Sequence, residues 1–219
     1  MKKGKHIKLN IGCGPCGISG WLNYDFGILP LISTLPKLKS ILIKIHLLSN
    51  SYKEKWPKIK IVDIRKKFPL KDNTVKFLFC SQVLEHFEYW EARSILSECH
   101  RVMEKGGILR ISVPDIEKVI SNYKNNPNKI NSAREFDKAI FGDEKDKTPN
   151  LIKKISIQFI RYHKWHYNFP YLRDLLKETG FSSIQKCSFR KGKTPDLNKL
   201  ELEIHKATSM YIEAIKNDD

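Results

Sequence analysis

Two features are missing from this sequence of 219 residues: a long apolar run and an apolar leader. No stretch of about 18 uncharged apolar residues occurs, so no transmembrane helix is predicted. The basic N-terminus runs at once into the strand-like residues 7–11, which are too short for the apolar core of a secretion signal. The five cysteines are an odd number, which argues against a disulfide-stapled secreted domain. We therefore predict a cytoplasmic protein in a reducing environment.

Acidic residues are scarce, because 24 Asp and Glu stand against 40 Lys and Arg, and the formal net charge is +16. A positive field of this size favours anionic partners such as nucleic acid, an anionic substrate or an acidic membrane surface. The alternative is an ordinary solvated surface. We favour that alternative, because the lysines are scattered and no long unbroken basic run occurs. No obligate protein partner is predicted.

Internal repeats and linkers are also absent, which predicts a single domain over residues 1–219. Short apolar runs typical of strands alternate with amphipathic stretches typical of helices. The predicted strands cover 7–11, 21–25, 59–63, 75–80, 108–113, 181–189 and 209–215. Helices are predicted over about 89–103 and 170–178, the second of them ending at Gly180. This alternation implies an α/β fold with a mostly parallel sheet and helices on both faces.

A glycine loop follows the first predicted strand directly, with Gly12, Gly14 and Gly17 in the spacing G-x-G-x-x-G. Glycines let the backbone turn sharply and approach a ligand closely. In dinucleotide-binding proteins an acidic residue follows about 20 positions later, whereas Asp25 follows Gly14 by only 11. Residues 15–20 are too few for a crossover helix whose N-terminus would receive a pyrophosphate. The loop therefore suits a cofactor without phosphate better than it suits NAD.

The pair Cys13 and Cys16 has the C-x-x-C spacing of metal and redox sites. A zinc site needs about four ligands, and the sequence holds no second C-x-x-C pair. We predict no metal site, at this pair or elsewhere in the chain.

The ordered motifs of the chain resemble those of the class I S-adenosylmethionine (SAM)-dependent methyltransferases. They are LNIGCG at 9–14, GWLNYD at 20–25, VDI at 62–64, DNT at 72–74, SQVLEHF at 81–87, ECHRVMEKGG at 98–107 and LRISVPD at 109–115. The opening is closest to a bacterial subgroup that reads LNxGCG…GWxNxD, and the resemblance covers roughly 7–27, 59–115 and 163–189, with a fainter match at 209–216. It implies a Rossmann-like methyltransferase fold with a mostly parallel seven-stranded sheet, helical cap insertions and an antiparallel last strand.

The resemblance also implies a SAM site. It places Gly12, Cys13 and Gly14 against the amino-acid part of SAM, and Asp25 at the ribose hydroxyls. A carboxylate suits that role because its two oxygens accept from two adjacent donors. The further cofactor-binding residues that it implies are Asn10 on the first strand, Asp63 beside the adenine amino group, Ile64 on the adenine ring face, and Ser81 and Gln82 after the fourth strand. Two of these residues also have a structural interpretation: Asp25 could be a turn residue at a strand end, and Asp63 a helix N-cap.

Two clusters are candidates for the methyl acceptor site. Glu85 and His86 follow the fourth strand, and a histidine there could act as a general base. A second cluster, RYHKWHY at 161–167, precedes the helix before Gly180 and, by the resemblance, faces the open end of the methyl site. We predict substrate contacts from Glu85, His86, His163, Lys164, His166 and Tyr167, with His163 or His86 as the catalytic base. The alternative for the second cluster is a structural aromatic cluster with a solvated lysine.

Two segments, 28–58 and 115–165, are predicted to be helical caps over the carboxyl edge of the sheet. The first carries Leu and Ile at helical spacing with lysines between them. It could be a lid, a membrane-surface helix, or an amphipathic helix packed on the domain. We favour the packed helix.

The predicted reaction is methyl transfer from SAM to a small-molecule acceptor, as O-methylation of a saccharide-type substrate. Positioning of the reactants could supply most of the rate. The alternatives are an RNA methyltransferase, which the net charge of +16 suggests, a lipid or quinone acceptor, and a SAM-binding partner subunit without catalysis. Nucleic acid is not the favoured partner.

Overall fold

A computed structural model of the chain describes residues 6–14, 17–45, 48, 58–126, 131–142 and 162–217. Seven strands form one sheet: β1 Ile7–Ile11, β2 Leu22–Asp25, β3 Ile59–Ile61, β4 Val75–Ser81, β5 Met103–Pro114, β6 Phe181–Cys187 and β7 Ser209–Lys216. The helices are α1 Ile28–Ser33, α2 Pro36–Lys44, α3 Tyr89–Val102, α4 Ile116–Asn125, α5 Ser132–Phe141, α6 Phe169–Glu178 and α7 Leu197–Leu200. Short 3-10 helices cover Leu84–His86 and Glu203–His205.

The strand order is β3-β2-β1-β4-β5-β7-β6. Neighbours from β3 through β5 pair in parallel, whereas β7 lies antiparallel to both β5 and β6. The predicted mostly parallel seven-stranded sheet with an antiparallel last strand is therefore confirmed. The direction in which the chain adds strands to the sheet reverses between β1 and β4. After β1 the chain adds β2 and β3 on one side, and β4 then pairs with the other side of β1. Ligands of open α/β sheets bind at such a point, outside the carboxyl ends of the strands.

The central strands are buried because their residues are apolar on both faces. In β1 and β4 the residues Leu9, Ile11, Val75 and Leu78 are buried, and in β5 the run from Leu109 to Val113 is buried throughout. Helices cover both faces of such a sheet, so nearly continuous apolar runs are expected. The fifth strand is longer than the predicted 108–113, while the third ends at Ile61 and not at the predicted residue 63.

Local interactions explain where helices α3 and α6 begin and where α6 ends. A capping box between Glu88 and Glu91 starts α3, because each side chain accepts from the backbone N–H of the other residue. The side chain of Asn168 accepts from Tyr171 N at the start of α6. That helix ends before Gly180, as predicted. Gly180 has φ +92°, and a Cβ there would lie 2.8 Å from His100 Nε2.

The described residues of the two predicted cap segments include helices α1, α2, α4 and α5, whereas residues 162–165 are not helical. Helices α1 and α2 follow β2, and α4 begins at Ile116 after β5, with Asp115 as its N-cap, and packs on α5. The remainder of the predicted caps, residues 46–47, 49–57, 127–130 and 143–161, lies outside the described residues. Within the described part of the chain no helix is both long and apolar enough to cross a bilayer.

Candidate functional site

The glycine loop after β1 lies against the residues that follow β4. Gly12 has φ +62° and Gly14 has φ +50°, a backbone conformation that side chains with a Cβ rarely adopt. A Cβ on Gly12 would collide with Val83 Cγ2, so the loop reaches the start of the 3-10 helix Leu84–His86 only because residue 12 is glycine. The two chain segments that the sequence assigned to cofactor and acceptor therefore touch.

Asp25 ends β2 beside this loop. Its carboxylate accepts hydrogen bonds from Gly14 N and from Phe26 N, the latter at 2.6 Å. Burial raises the pKa of Asp25, and the two N–H groups oppose that rise. The side chain is only partly buried, so a carboxylate that already fixes the loop also faces the site.

Asp63 follows β3 and pairs with Arg65. Arg65 donates from Nε at 2.8 Å and from Nη2 at 2.7 Å to the two carboxylate oxygens, a bidentate arrangement. Burial opposes ionisation of Asp63, but these bonds and the charge of Arg65 outweigh it and lower its pKa. The alternative interpretation of Asp63 as a helix N-cap does not hold, because a turn and no helix follows. Ile64 is buried in the core.

Gln82 links the carboxyl ends of β4 and β5 to the amino end of the antiparallel strand β7. It has φ +54°, its N–H donates to Ser112 O at 2.8 Å, and its amide donates to the hydroxyls of Ser112 and Ser209 at 3.3 and 3.0 Å. A strained residue persists only where its surroundings over-determine it, and such residues cluster at ligand sites. Ser81, the last residue of β4, is partly exposed at the same edge.

Two of the predicted cofactor residues are largely enclosed by protein. Asn10 is 3% exposed, and its amide donates to Asn23 Oδ1 at 3.4 Å. Cys13 is buried, and its thiol lies 3.4 Å from Gly14 O. Both positions give the loop structural support, and the cofactor contacts predicted for them stay predictions. Cys16 lies outside the described residues, and the described cysteines form no disulfide with one another.

These residues fit the cofactor that the resemblance implied. The loop presents glycine backbone without Cβ atoms, and Asp25 presents carboxylate oxygens to donors. In the described residues 17–21 of the connection between β1 and β2 there is a turn at 19–20 and no helix, so these residues offer no helix N-terminus to a pyrophosphate. This donor and acceptor set suits an adenosyl ligand that carries hydroxyls and no phosphate.

The second predicted cluster docks on the first. Both Lys164 N and Trp165 N donate to Glu85 O, at 2.7 and 3.1 Å. This pairing brings the ring of His163 against that of His86, with the centroids 5.1 Å apart. The sequence interval between the two clusters is large, so their contact is a tertiary feature that no local pattern signals.

Two carbonyls at the end of α5 orient the histidines. Ala139 O lies 3.2 Å from His163 Nδ1, and Ile140 O lies 2.6 Å from His166 Nε2. A carbonyl oxygen only accepts, so these ring nitrogens carry the hydrogens, and Nε2 of a neutral His163 is left with its lone pair. Sequence reasoning missed this role of α5, because nothing in residues 132–141 marks two main-chain carbonyls as partners of distant histidines.

Burial sets the charges of the cluster. Glu85 is 1% exposed, and burial raises its pKa to about 8. The N–H groups of Val83 and of Glu85 itself lie near the carboxyl and favour its ionised form, yet within the described residues neither oxygen has a well-aligned hydrogen bond. Burial, and then the proximity of His86, lowers the pKa of His163 to about 4. At neutral pH both Glu85 and His163 are therefore uncharged.

The other predicted substrate residues have protein partners. Lys164 Nζ lies 2.9 Å from Glu88 Oε1 and 3.9 Å from Glu91 Oε2, at the start of α3. Tyr167 is fully buried, with its hydroxyl 3.5 Å from Leu84 O. These contacts account for a structural role, and the substrate contacts predicted for Lys164, His166 and Tyr167 stay predictions.

The aromatic neighbours of these residues pack together. Trp165 stacks on Tyr171 at 6.3 Å between ring centroids, and Tyr89 lies 6.2 Å from Trp165. The aromatic part of the 161–167 motif thus has the structural role that was its alternative interpretation, whereas its histidines face the cluster with Glu85 and His86.

A cavity of about 210 Å³ opens between α4 and α5. Tyr123 and Phe136 line it with ring faces, and Asn122 and Glu135 line it with polar groups. Ala139, whose carbonyl orients His163, also borders the cavity. The cavity and the histidine cluster are therefore adjacent.

Comparison with known proteins gives this geometry its context. Residues 9–111 match the family model described as a methyltransferase domain. A search of curated proteins found no significant match. Among solved structures, the chain is similar to a SAM-dependent methyltransferase from Archaeoglobus fulgidus, with 16% identity, a TM-score of 0.52, and coverage of 98% of this chain and 87% of that one.

Two further solved structures share the fold. One is a SAM-dependent methyltransferase, possible histamine N-methyltransferase, from Thermotoga maritima, with 15% identity, a TM-score of 0.50, and coverage of 96% and 82% of the two chains. The other is the CurJ carbon methyltransferase, with 15% identity, a TM-score of 0.52, and coverage of all of this chain but 50% of that one. The chain therefore has the fold of SAM-dependent methyltransferases and a match to a methyltransferase domain over residues 9–111, and SAM is the cofactor that such a domain implies.

Proposed function

We propose that the protein transfers the methyl group of SAM to a hydroxyl oxygen of a small, polar acceptor of the saccharide type. The observation that carries this proposal is the neutral imidazole of His163, which is oriented by Ala139 O and lies beside the segment that contacts the glycine loop. A neutral imidazole can accept the proton that a hydroxyl loses when its oxygen is methylated.

The residues have separate parts in this proposal. Gly12, Gly14 and Asp25 would hold SAM, which when bound supplies an electrophilic methyl group. His163 Nε2 accepts the acceptor's proton, and Ala139 O keeps its ring in the tautomer that leaves Nε2 free to do so. The buried surroundings of the cluster exclude water and favour neutral groups over charged ones.

The acceptor class is supported by the character of the adjacent cavity. Ring faces from Tyr123 and Phe136 stand next to amide and carboxyl groups from Asn122 and Glu135. Such a mixture suits a compact ligand that has both apolar ring faces and many hydroxyls. The net charge of +16 also admits an acceptor that carries a phosphate or carboxylate.

The test is a methyl-transfer assay with isotopically labelled SAM and a panel of saccharides, sugar phosphates, RNA and lipid headgroups. We expect turnover with a saccharide or sugar phosphate, and a loss of about 10²–10⁴-fold in kcat for His163→Ala with the SAM affinity retained. His205→Ala is the matched control, because that partly buried histidine lies on the separate 3-10 helix Glu203–His205.

Three results would contradict the proposal. Turnover with RNA alone would support the nucleic-acid alternative. SAM binding without turnover on any acceptor class would support the alternative of a SAM-binding subunit. Full activity of His163→Ala would remove His163 from the reaction.

A further inference from the structure

Glu85, His86 and His163 bring one carboxylate and two imidazoles to one point. One ligand atom of each residue lies within 4.8 Å of the others. Glu85 and His86 belong to the 3-10 helix after β4, and His163 belongs to the segment that two backbone hydrogen bonds dock on that helix. The cluster therefore depends on the fold and not on a local sequence motif.

We propose that Glu85, His86 and His163 bind a divalent first-row transition metal ion of the zinc class. Two imidazoles and one carboxylate are donors that such ions prefer, whereas Mg²⁺ and Ca²⁺ prefer oxygen ligands throughout. Three protein ligands leave at least one coordination position open, as in catalytic zinc sites. This proposal does not rest on methyl transfer, since it concerns metal binding by the chain alone.

The environment of Glu85 is the first support. Glu85 is only 1% exposed, and within the described residues neither carboxyl oxygen has a well-aligned hydrogen bond. No described lysine or arginine forms an ion pair with it. Burial of an unsatisfied carboxyl group is costly, and it is expected only where something compensates. A cation bound between Glu85 and the two imidazoles satisfies these oxygens.

The second support is the hydrogen bond of His163. Metal-ligating histidines usually donate their other ring N–H to a carboxylate or backbone carbonyl, which fixes the ring and its tautomer. Ala139 O occupies this position, 3.2 Å from His163 Nδ1. His163 Nε2 is thereby oriented as a ligand before any ion binds, and a bound ion would occupy the lone pair that accepts the proton in the metal-free reaction proposed above.

The geometry requires a modest contraction. Ligand atoms about 2.1 Å from a tetrahedral ion lie about 3.4 Å from one another. The ligand atoms of the three residues now lie within 4.8 Å of one another, so small side-chain rotations would bring them to that separation. Because the cluster borders the glycine loop through Val83, the open position of the ion would face the region between the cofactor loop and the cavity.

Metal binding is tested with the full-length protein after treatment with EDTA and removal of the chelator. Zn²⁺ is titrated calorimetrically, and Co²⁺ is titrated by its visible absorption. We expect one ion per chain and a Co²⁺ spectrum of tetrahedral or five-coordinate type. Each of Glu85→Gln, His86→Gln and His163→Gln should weaken binding at least about tenfold.

His166→Gln is the matched control, because His166 lies near the cluster, with its ring centroid 6.4 Å from that of His163, but is not one of the three ligands. Its affinity for Zn²⁺ should stay within about twofold of the wild type, and circular dichroism should show that all four variants are folded. The proposal would be overturned if the folded wild type did not bind Zn²⁺, or if the three ligand variants bound Zn²⁺ with the affinity of the wild type. Methyl transfer is assayed separately in the presence of EDTA. A failure of the proposed reaction can then be distinguished from a failure of metal binding.

A second, independent observation concerns the surface of α1 and α2. Leu42 and Ile43 face the protein, but five other apolar residues of this region remain 40% to 55% exposed. They are Leu31, Leu35, Leu38, Ile41 and Ile45. The favoured prediction of a packed helix thus accounts for one side of α2 only.

We infer that this exposed face, defined by those five residues, docks on an anionic lipid surface. Lys37 and Lys44 are exposed on the same helix, and the sequence holds no Asp or Glu between residues 26 and 53. An apolar face flanked by lysines binds acidic bilayers through burial and charge together. The overall charge of +16 acts in the same direction.

Co-sedimentation with vesicles of phosphatidylcholine, with and without phosphatidylglycerol, tests the face. We expect binding to the anionic vesicles that weakens with added salt and is lost in Leu38→Glu/Ile41→Glu. Ile204→Glu is the control, because Ile204 is an exposed apolar residue on the 3-10 helix Glu203–His205 and not on α2. The inference would be overturned if the wild type did not bind the vesicles or if both variants bound them equally. It would also be overturned if the face instead mediated concentration-dependent self-association.

Discussion

The carboxylate of Asp25 accepts the backbone N–H of Gly14, so the end of strand β2 fixes the loop that follows strand β1. The same carboxylate accepts from Phe26 N at 2.6 Å. One acidic side chain therefore determines the shape of the loop and presents its remaining acceptor capacity to the site.

Substitution Asp25→Ala should weaken the binding of SAM and of S-adenosylhomocysteine by roughly 1–3 kcal/mol, because it removes hydrogen bonds to the ribose and releases the loop. Isothermal titration measures the loss. Glu203→Ala, which removes an exposed carboxylate far from the loop, should leave the affinity unchanged. Wild-type affinity in Asp25→Ala would remove Asp25 from the cofactor site.

Gly12→Ala should destabilise the protein more than Gly20→Ala does. Both glycines have positive φ, at +62° and +84°, so both substitutions incur the left-handed penalty of about 1 kcal/mol. Only Gly12 has a neighbour in the way, Val83, and overpacking adds roughly 1–3 kcal/mol.

Urea unfolding of the two variants measures this difference. In the Gly12→Ala background, Val83→Ala should recover part of the loss, giving a favourable coupling in the double-mutant cycle. Additive effects of the two substitutions would show that residue 12 does not contact Val83.

The pH dependence of stability should carry the signature of Glu85. Its pKa is about 8 in the folded protein, above the ordinary value of 4.5, so the folded state keeps a proton that the unfolded state loses. Stability from this group is present below about pH 4.5 and falls as the pH rises to about 8, above which the loss is complete.

Thermal unfolding in the presence of EDTA tests this sign. Glu85→Gln should match the wild type near pH 4.5 and exceed it at pH 9, by on the order of a few kcal/mol. An advantage for Glu85→Gln that is the same at both pH values would contradict the raised pKa. Glu178→Gln, at an exposed carboxylate, is the control.

Glu201→Ala should cost about 3–5 kcal/mol of unfolding free energy, because it removes the nearest carboxylate from a buried guanidinium that Glu213 approaches only to 3.9 Å. Arg110 is fully buried in β5, and its Nη2 lies 2.6 Å from Glu201 Oε1. Glu203→Ala, two residues away at the surface, should leave the stability unchanged within experimental error. Similar losses for the two variants, measured by denaturant unfolding, would argue against a buried pair.

The strands were predictable because their signal is local. β1 coincides with the predicted 7–11, and β4 and β7 differ from the prediction by one residue each. Apolar runs bounded by glycine, proline or charged residues decide such elements, and the sheet order then follows from the family that the motifs resemble.

The site was predictable only in part, because its contacts join distant residues. The motifs identified His86 and His163 separately, but their approach depends on hydrogen bonds from Lys164 N and Trp165 N to Glu85 O. The sequence likewise gave no sign that Arg110 would be buried, because its partner Glu201 is 91 positions away. Main-chain carbonyls such as Ala139 O leave no trace in residue identity at all.

The position of β7 has a consequence for how the protein is made. β6 pairs with no other described strand than β7, and β7 is the last strand along the chain. During synthesis, β6 must therefore wait outside the sheet until β7 leaves the ribosome and inserts beside β5. Until then the edge of β5 is unpaired and open to any strand that reaches it. The ion pair between Arg110 and Glu213 cannot form before β7 is in place.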